Sequence, residues 1–544
     1  MKNWSSEYPR PQLKRDSFLS LNGEWQLNGR RIEIPFPPQS GRSLWKGEVP
    51  DTLDYSRSFS LPDGFCKPGD RLRLHFGAVD QVAEVYLNGR AVMRHEGGYL
   101  PFYADITDAL KPGANQLSVR AVDTLSPAYP YGKQSKKRGG MWYTPVSGIW
   151  QSVWLEAVPE KPIEGIKITP DLTGIMLTVD CAKPECTIEI PGCLTQSIET
   201  RRAVRIEIPE PILWSPEHPH LYSLIISTGD DRVESYFALR TIEIKACGAH
   251  PRIYLNNQPI FLNGVLDQGY FHDGLFLPAS PDGYDADILR MKELGVNLLR
   301  KHIKIEPEAF YYACDRLGML VMQDMVNTGG YNYLFDTVLP TIGLQYRHDR
   351  CAHPEKDPAK SFFTRHCLHT IDRLYNHPCI ISWCIFNEGW GQFNADDHYE
   401  QVLFADSSRL IDATSGWFHQ KKSDLDSRHV YFRNKRLKGT DMPLFLSECG
   451  GFTRPIEGHM FNPAAQYGYG ATDSEEALTA KIEKMWNEMV LPSIKDGLCG
   501  LVYTQLSDVE DEINGLYTYD CVLCKVNKER MRALAARARL LTDG

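Results

Sequence analysis

The apolar pattern of this 544-residue chain changes character once, near residue 246. Before that point, short runs alternate apolar and polar residues, as in Arg71-Leu72-Arg73-Leu74-His75-Phe76 and Ala83-Glu84-Val85-Tyr86-Leu87. After it, short continuous apolar runs alternate with stretches of helical period. Period-two alternation builds antiparallel sheets with one wet face, whereas continuous apolar strands separated by helices build a parallel sheet covered on both sides. A chain of this length exceeds what one core can organise, and about three domains are expected.

Residues 1–160 read as a β jelly-roll sandwich, with turn signals at Asn88-Gly89, Pro112-Gly113 and Ser147-Gly148 between the short strands. Residues 161–245 repeat the style on a smaller scale, as expected of an immunoglobulin-like β sandwich. From 246 to 544, strands are expected at 259–265, 296–300 and 319–323, and in the run ending at Phe386. Others are expected at 415–418 and 428–432, in the run ending at Ser447, and at 501–504. Helices are expected near 283–294, 307–317, 361–375, 474–490 and 527–541. Eight strands over roughly 300 residues fit a (β/α)8 TIM barrel. Truncated helices are expected between 412 and 448, where the chain is too short for full ones.

The bulk numbers remove several function classes. The net charge of −9 argues against a nucleic-acid partner, which requires a basic surface. No apolar stretch reaches the length of a membrane span, and no apolar signal segment follows Met1, so no membrane partner and a cytoplasmic location are expected. The 14 cysteines are scattered, many in apolar runs, as in reduced cytosolic proteins. Cys521 and Cys524 have metal-ligand spacing but lack the second pair that a structural zinc site needs. No metal and no cofactor are expected.

Two motifs carry chemistry. Ile385-Phe386-Asn387-Glu388-Gly389-Trp390 and Leu444-Phe445-Leu446-Ser447-Glu448-Cys449-Gly450-Gly451 each put a glutamate at the C-terminal end of a buried strand. In a barrel those are the fourth and seventh strands, and catalytic groups converge at that end. Cleavage of a glycosidic bond needs two facing carboxyls, one to protonate the leaving oxygen and one to attack or to activate water.

With these motifs the whole chain resembles glycoside hydrolase family 2, the β-galactosidase, β-glucuronidase and β-mannosidase family. The resemblance also rests on Leu21-Asn22-Gly23-Glu24-Trp25, Gly97-Gly98-Tyr99-Leu100-Pro101-Phe102, Ser147-Gly148-Ile149-Trp150 and Leu213-Trp214-Ser215-Pro216. It implies Glu388 as general acid/base, Glu448 as nucleophile and Asn387 as the partner of the sugar 2-hydroxyl, in a retaining mechanism. Glu388 must then carry a proton at rest. Arg300 is expected to orient Glu448. His302 lies two residues after Arg300, where the family places a histidine three residues on. Asp267 and Asp324 follow the first and third strands and are candidates to accept hydrogen bonds from sugar hydroxyls. His429 and Tyr431 belong to the sixth strand, near the nucleophile, and Trp390 and Trp417 are candidates to stack on a sugar face.

The segment after the eighth strand bears on the glycone. The family's β-glucuronidases carry an Asn-x-Lys motif there for the sugar carboxylate. This chain has Asp508-Val509-Glu510-Asp511-Glu512-Ile513-Asn514-Gly515, with four carboxylates and no lysine. Such a stretch repels a uronic acid and favours a neutral glycoside. A β-galactosidase-like exo-glycosidase is expected, with β-mannosidase, β-glucuronidase or a catalytically silent carbohydrate-binding protein as alternatives. Assembly into a homo-oligomer is a further expectation by analogy.

Overall fold

The computed structural model describes residues 3–341, 344, 349 and 357–543. A four-stranded sheet (Phe18–Ser20, Val153–Val158, Arg71–Phe76, Phe102–Asp105) packs on a six-stranded one (Arg30–Ile34, Gly23–Leu27, Thr52–Phe59, Asn115–Val122, Val82–Leu87, Arg90–Glu96). All ladders are antiparallel. Inward residues of both sheets, among them Trp25, Leu74, Val85 and Val119, form the core. A second, smaller pair of antiparallel sheets follows, with three strands (Ile163–Pro170, Gly174–Cys181, Val204–Glu207) and four (Leu194–Glu199, Glu185–Ile190, Tyr222–Ser227, Arg232–Phe237). Its isoleucine-rich core is separate from the first.

The remaining core is that of a barrel. Its parallel strands are β1 (Leu262–Asp267), β2 (Leu298–Lys301), β3 (Leu320–Asp324), β4 (Ile380–Asn387), β5 (Leu410–Ser415), β6 (Asp426–Val430), β7 (Leu444–Gly450) and β8 (Leu498–Thr504). Their order around the sheet is 5-4-3-2-1-8-7-6. Hydrogen-bonded ladders join every neighbouring pair except β5 and β6. Side chains bridge that seam: the Ser427 hydroxyl donates to Asp412 Oδ2 at 2.7 Å and lies 3.3 Å from the Ser415 hydroxyl. Seven of the eight strands are buried at nearly every position, as a barrel wall covered on both faces requires.

The helices are α1 (Asp282–Glu293), α2 (Glu308–Leu317), α3 (Asp357–Leu374), α4 (Ala395–Ala405), α5 (Glu475–Met485) and α6 (Lys528–Asp543). Two departures from the sequence reading have physical reasons. Strand β5 covers Leu410–Ser415 rather than 415–418, because the buried Asp412 interrupts the apolar run that would have marked it. Among the described residues no helix lies between 412 and 448, where truncated helices were expected. None of the described helices is long and apolar enough to cross a membrane, and each described cysteine is a free thiol.

Two features outside the barrel bear on the site. Residues 123–147, between two strands of the first sandwich, form a long loop over the barrel mouth. Tyr131 donates its hydroxyl to Gly329 O at 2.7 Å, and the Thr144 N–H donates to Glu510 at 3.0 Å. Trp142 stacks on Trp390, with ring centroids 5.4 Å apart. Loops of this length without secondary structure are uncommon unless they serve a site.

The other feature is a buried charge cluster at the junction of the two sandwiches. Glu156, 0% exposed, accepts from Arg10, Arg15 and Tyr8, and Arg15 also pairs with Asp231 of the second sandwich at 2.9 Å. Burial alone would raise the Glu156 carboxyl, but Arg10, His75 and Arg15 outweigh it and hold it down at about 2. A carboxylate with a depressed pKa stabilises the fold fully above its unfolded value, near 4.5, and loses that contribution as pH falls toward about 2. Glu156→Gln is therefore expected to cost about 3–5 kcal/mol at neutral pH, because it leaves the buried Arg10 without a counter-charge. In denaturant unfolding at a series of pH values, the gap between wild type and variant is expected to close between pH 4.5 and 2. A gap independent of pH would mean that packing, not charge, is what Glu156 supplies.

Candidate active site

The C-terminal ends of β2, β3, β4, β6 and β7 bring together most of the residues singled out from the sequence. At their centre is Arg300, on β2 and 0% exposed. Its Nε donates to Asp324 Oδ1 at 3.0 Å. One terminal nitrogen donates to Glu448 Oε1 at 3.2 Å and to Ser447 O at 3.0 Å, and the other to Asn387 Oδ1 at 2.8 Å. Burial works to lower the guanidinium's pKa, but Asp324 and Glu448 outweigh it and hold Arg300 firmly charged.

Glu448 sits near the end of β7. Burial would raise its carboxyl, but the His429 N–H and the Arg300 guanidinium beside it bring it down to about 2. Its second oxygen accepts from the Tyr431 hydroxyl, which also lies 3.1 Å from Thr504 Oγ1. Tyr431 stacks on Tyr469 with centroids 4.3 Å apart, which fixes the ring against the carboxylate. The phenol is pushed well above its ordinary range, first by burial and then by Glu448, so it stays a donor.

Glu388 follows the last residue of β4. Its backbone turns out of the strand at φ 50°, and its N–H donates to Ser415 O at 2.9 Å. The next residue must be glycine: at Gly389 (φ 78°) a side chain would collide with the Phe418 ring. Gly416 makes room in the same way, since a Cβ there would lie 2.7 Å from the His429 ring. His429 Nδ1 is 2.8 Å from Glu388 Oε1 and 3.6 Å from Glu448 Oε2. Its Nε2 lies 3.1 Å from Ser415 Oγ and 3.5 Å from an Arg300 nitrogen that can only donate, which places the ring proton on Nδ1.

One donor atom from each of Glu388, His429 and Glu448 lies within 4.8 Å of the other two. Two carboxylates and an imidazole have the chemistry to hold a divalent ion. Here, however, both oxygens of Glu448 are already engaged, one by Arg300 and one by Tyr431. The set places a bare carboxylate beside a cation.

The other sequence candidates fall into two groups. Asn387, Glu388, Glu448, His302 and Tyr431 line a cleft at the barrel mouth. With its Oδ1 committed to Arg300, Asn387 has its amide N–H2 left for a ligand. Asp324 lies behind the cleft wall, where it accepts from Arg300 and from His302 Nδ1 at 2.7 Å. Burial and Lys133 hold the His302 ring down at about 4 against the pull of Asp324, so it is neutral. Asp267 is turned away: its oxygens accept from Lys301 Nζ at 2.6 Å and from Gly269 N–H at 2.8 Å. Trp390 packs between Trp142 and Tyr331, and Trp417 edges onto His429, both outside the cleft lining.

The cleft also holds residues that the sequence reading passed over, Lys133 and Met141 from the first sandwich, Gln268 after β1, and Tyr467 and Tyr469, together with Glu512 of the acidic stretch after β8. Of the four acidic residues 508–512, only Glu512 reaches it. Asp508 is paired with the buried Lys525 at 2.7 Å, Glu510 accepts from Thr144 N–H, and Asp511 accepts from Asn462. The signal for Lys133 was the length of its loop.

Three family models match the chain. That of the "Glycosyl hydrolases family 2, sugar binding domain" covers residues 13–159, "Glycosyl hydrolases family 2" covers 184–240, and "Glycosyl hydrolases family 2, TIM barrel domain" covers 249–450. A β-galactosidase of Thermoanaerobacter pseudethanolicus is 27% identical over 372 residues, which are 63% of this chain and 45% of that protein. A putative β-glucuronidase of Formosa agariphila is 27% identical over 431 residues, 71% of this chain and 48% of that one. The chain thus spans about half the length of the curated relatives it matches. Among solved structures, a β-D-glucuronidase from Dictyoglomus thermophilum superimposes with a TM-score of 0.76 at 17% identity, covering 98% of both chains. A β-galacturonidase from Eisenbergiella tayi bound to galacturonate gives 0.70 at 19%, covering 98% of this chain and 99% of that one. These likenesses are of fold, and with the three family models they lead to one statement: the chain belongs to glycoside hydrolase family 2.

Proposed function

We propose that this protein is a retaining exo-β-glycosidase that hydrolyses a neutral, galactoside-like glycoside. The observation that carries the reading is the closeness of the two carboxylates. Oxygens of Glu388 and Glu448 within 4.8 Å of each other fit the spacing of about 5–5.5 Å used by retaining enzymes better than the roughly 6.5–9.5 Å of inverting ones.

In this reading Glu448, kept ionised by Arg300 and aligned by Tyr431, attacks the anomeric carbon. Glu388 gives its proton to the departing glycosidic oxygen, and a covalent glycosyl-enzyme forms. Glu388 then takes a proton from water, whose oxygen displaces Glu448 from the sugar, so both carboxyls return to their starting states. His429 holds Glu388 on the reacting side, and the Asn387 amide meets the 2-hydroxyl, a contact that strengthens in the transition state. The β-galactosidase and β-glucuronidase names of the relatives fit an enzyme of this kind. Charge favours the neutral glycone: the cleft is lined by three carboxylates, Glu388, Glu448 and Glu512, and by one lysine.

Three outcomes are expected. Among aryl β-glycosides, neutral sugars, β-galactoside first, turn over faster than β-glucuronide; a preference for the uronide in kcat/KM would reverse the glycone assignment. Glu448→Ala loses at least about 10⁴-fold in kcat, and azide restores turnover with an α-glycosyl azide as product; a β-configured azide would make Glu448 the acid/base and deny it the role of nucleophile. Glu388→Gln loses about 10²–10⁴-fold on substrates with poor leaving groups and much less on dinitrophenyl glycosides, whose departure needs no proton; equal losses on both would deny Glu388 its role as acid.

A further inference from the structure

Lys133 is 9% exposed and lines the cleft, yet its ammonium forms no ion pair among the described residues. Its Nζ lies 4.9 Å from the centroid of the Trp390 ring, a contact that draws the cation in without supplying an anion. Buried ammonium groups are otherwise paired, because removal from water is costly. Gln268, in the same cleft lining, is 4% exposed, and both its amide oxygen and its amide nitrogen lack a hydrogen-bond partner among the described residues. Buried amides in native proteins are satisfied, so an unsatisfied one in a cleft marks a place where a ligand completes the bonding. The third group is Glu512. Its oxygens accept from Tyr143 and, at 2.8 Å, from Asn514 Nδ2, and each keeps acceptor capacity toward the cleft.

These groups stand apart from the reacting machinery. Asn387 and Glu388 end β4 and Glu448 lies on β7, whereas Gln268 follows β1, Glu512 follows β8 and Lys133 enters from the first sandwich. With Glu448 assigned to the first carbon of a pyranose and Asn387 to its 2-hydroxyl in the reading proposed above, the other polar groups of the cleft lining are left for the remaining hydroxyls. We propose that Lys133, Gln268 and Glu512 form a two-domain clamp that reads the glycone hydroxyls remote from the reacting carbon and so determines which sugar is accepted. Lysine donates to a hydroxyl oxygen, glutamate accepts a hydroxyl proton, and the amide does both. The set suits hydroxyls rather than a sugar carboxylate, because an anion beside Lys133 would also face Glu512. The clamp deepens the proposed glycosidase reading and rests on it.

The test is a Lys133→Met and a Glu512→Gln variant, each assayed against the best aryl β-glycoside and its 3-, 4- and 6-deoxy analogues. Lys133→Met is expected to lower kcat/KM on the parent sugar by about 10- to 100-fold, mostly through KM, the worth of one hydrogen bond to a charged group. On one deoxy analogue the same variant is expected to change almost nothing, since the partner hydroxyl is already gone. Glu512→Gln is expected to give its own silent analogue. Equal losses on the parent and on every analogue would assign both residues a structural role and overturn the clamp, as would a Lys133→Met loss confined to uronides. Calorimetric binding of the matching glyconolactam reads the same contacts without turnover. Binding lost in Lys133→Met, with no hydrolysis by wild type, would sink the glycosidase reading and keep the clamp; unchanged binding in both variants would sink the clamp alone.

Discussion

A single fully buried guanidinium organises the C-terminal face of the barrel. Taking a charged arginine out of water costs several kcal/mol unless its donors are met and its charge is balanced. Arg300 meets that condition by reaching four strands: Asp324 on β3, Asn387 on β4, Glu448 on β7, and the backbone of Ser447 on β7 beside the His429 ring of β6. Each bond is at once a stability requirement and a positioning device. Because Asn387 must turn its oxygen inward to Arg300, its amide nitrogen is left for a ligand. Because Glu448 shares the cation with Asp324, it is ionised despite its burial. The geometry proposed as catalytic therefore arises from how one buried charge is satisfied.

The two glutamates differ because their surroundings differ. Glu448 has a cation on one oxygen and a phenol on the other. Glu388 stands on a left-handed turn just beyond β4, with the imidazole N–H of His429 as its partner. In the proposed reading, those unequal partners are what separate an acid from a nucleophile. The hydroxyls of Ser415 and Ser447, 2.9 Å apart, lie under His429 where the barrel seam between β5 and β6 has no ladder. Closure of the barrel and placement of the imidazole are thus one problem with one solution.

The site is also shared between domains. The 123–147 loop of the first sandwich sets Lys133 in the cleft, stacks Trp142 on the tryptophan two residues beyond Glu388, and hydrogen-bonds the segment after β8 through Tyr143 and Thr144. An isolated barrel would lack that wall. The same contacts explain why three of the four acidic residues after β8 are absent from the cleft: Asp508, Glu510 and Asp511 are held by Lys525, Thr144 and Asn462. Acidity counted along the sequence overstated the negative charge that a sugar would meet, and the lysine that offsets part of it lies far away in the chain.

What the sequence determined by itself was local. Alternation before residue 246 and continuous apolar runs after it dictate antiparallel sandwiches and then a parallel barrel, because each pattern can bury its apolar groups in only one kind of sheet. The Asn-Glu and Ser-Glu motifs mark their strand ends because an apolar run that stops at a carboxylate is visible without any partner. Strand β5 was misplaced by the buried Asp412, whose pairing with Ser427 appears in no local pattern. The tertiary structure alone decided what those residues face. Asp267 turned to Lys301 and away from the cleft, Asp324 came to lie behind Arg300, and Trp390 packed under the loop of another domain. Lys133 and Gln268 entered the site unannounced. The reason is physical: strand ends are fixed by short-range hydrophobic periodicity, whereas the partner of a buried charge is chosen by distance in space, which sequence separation does not encode.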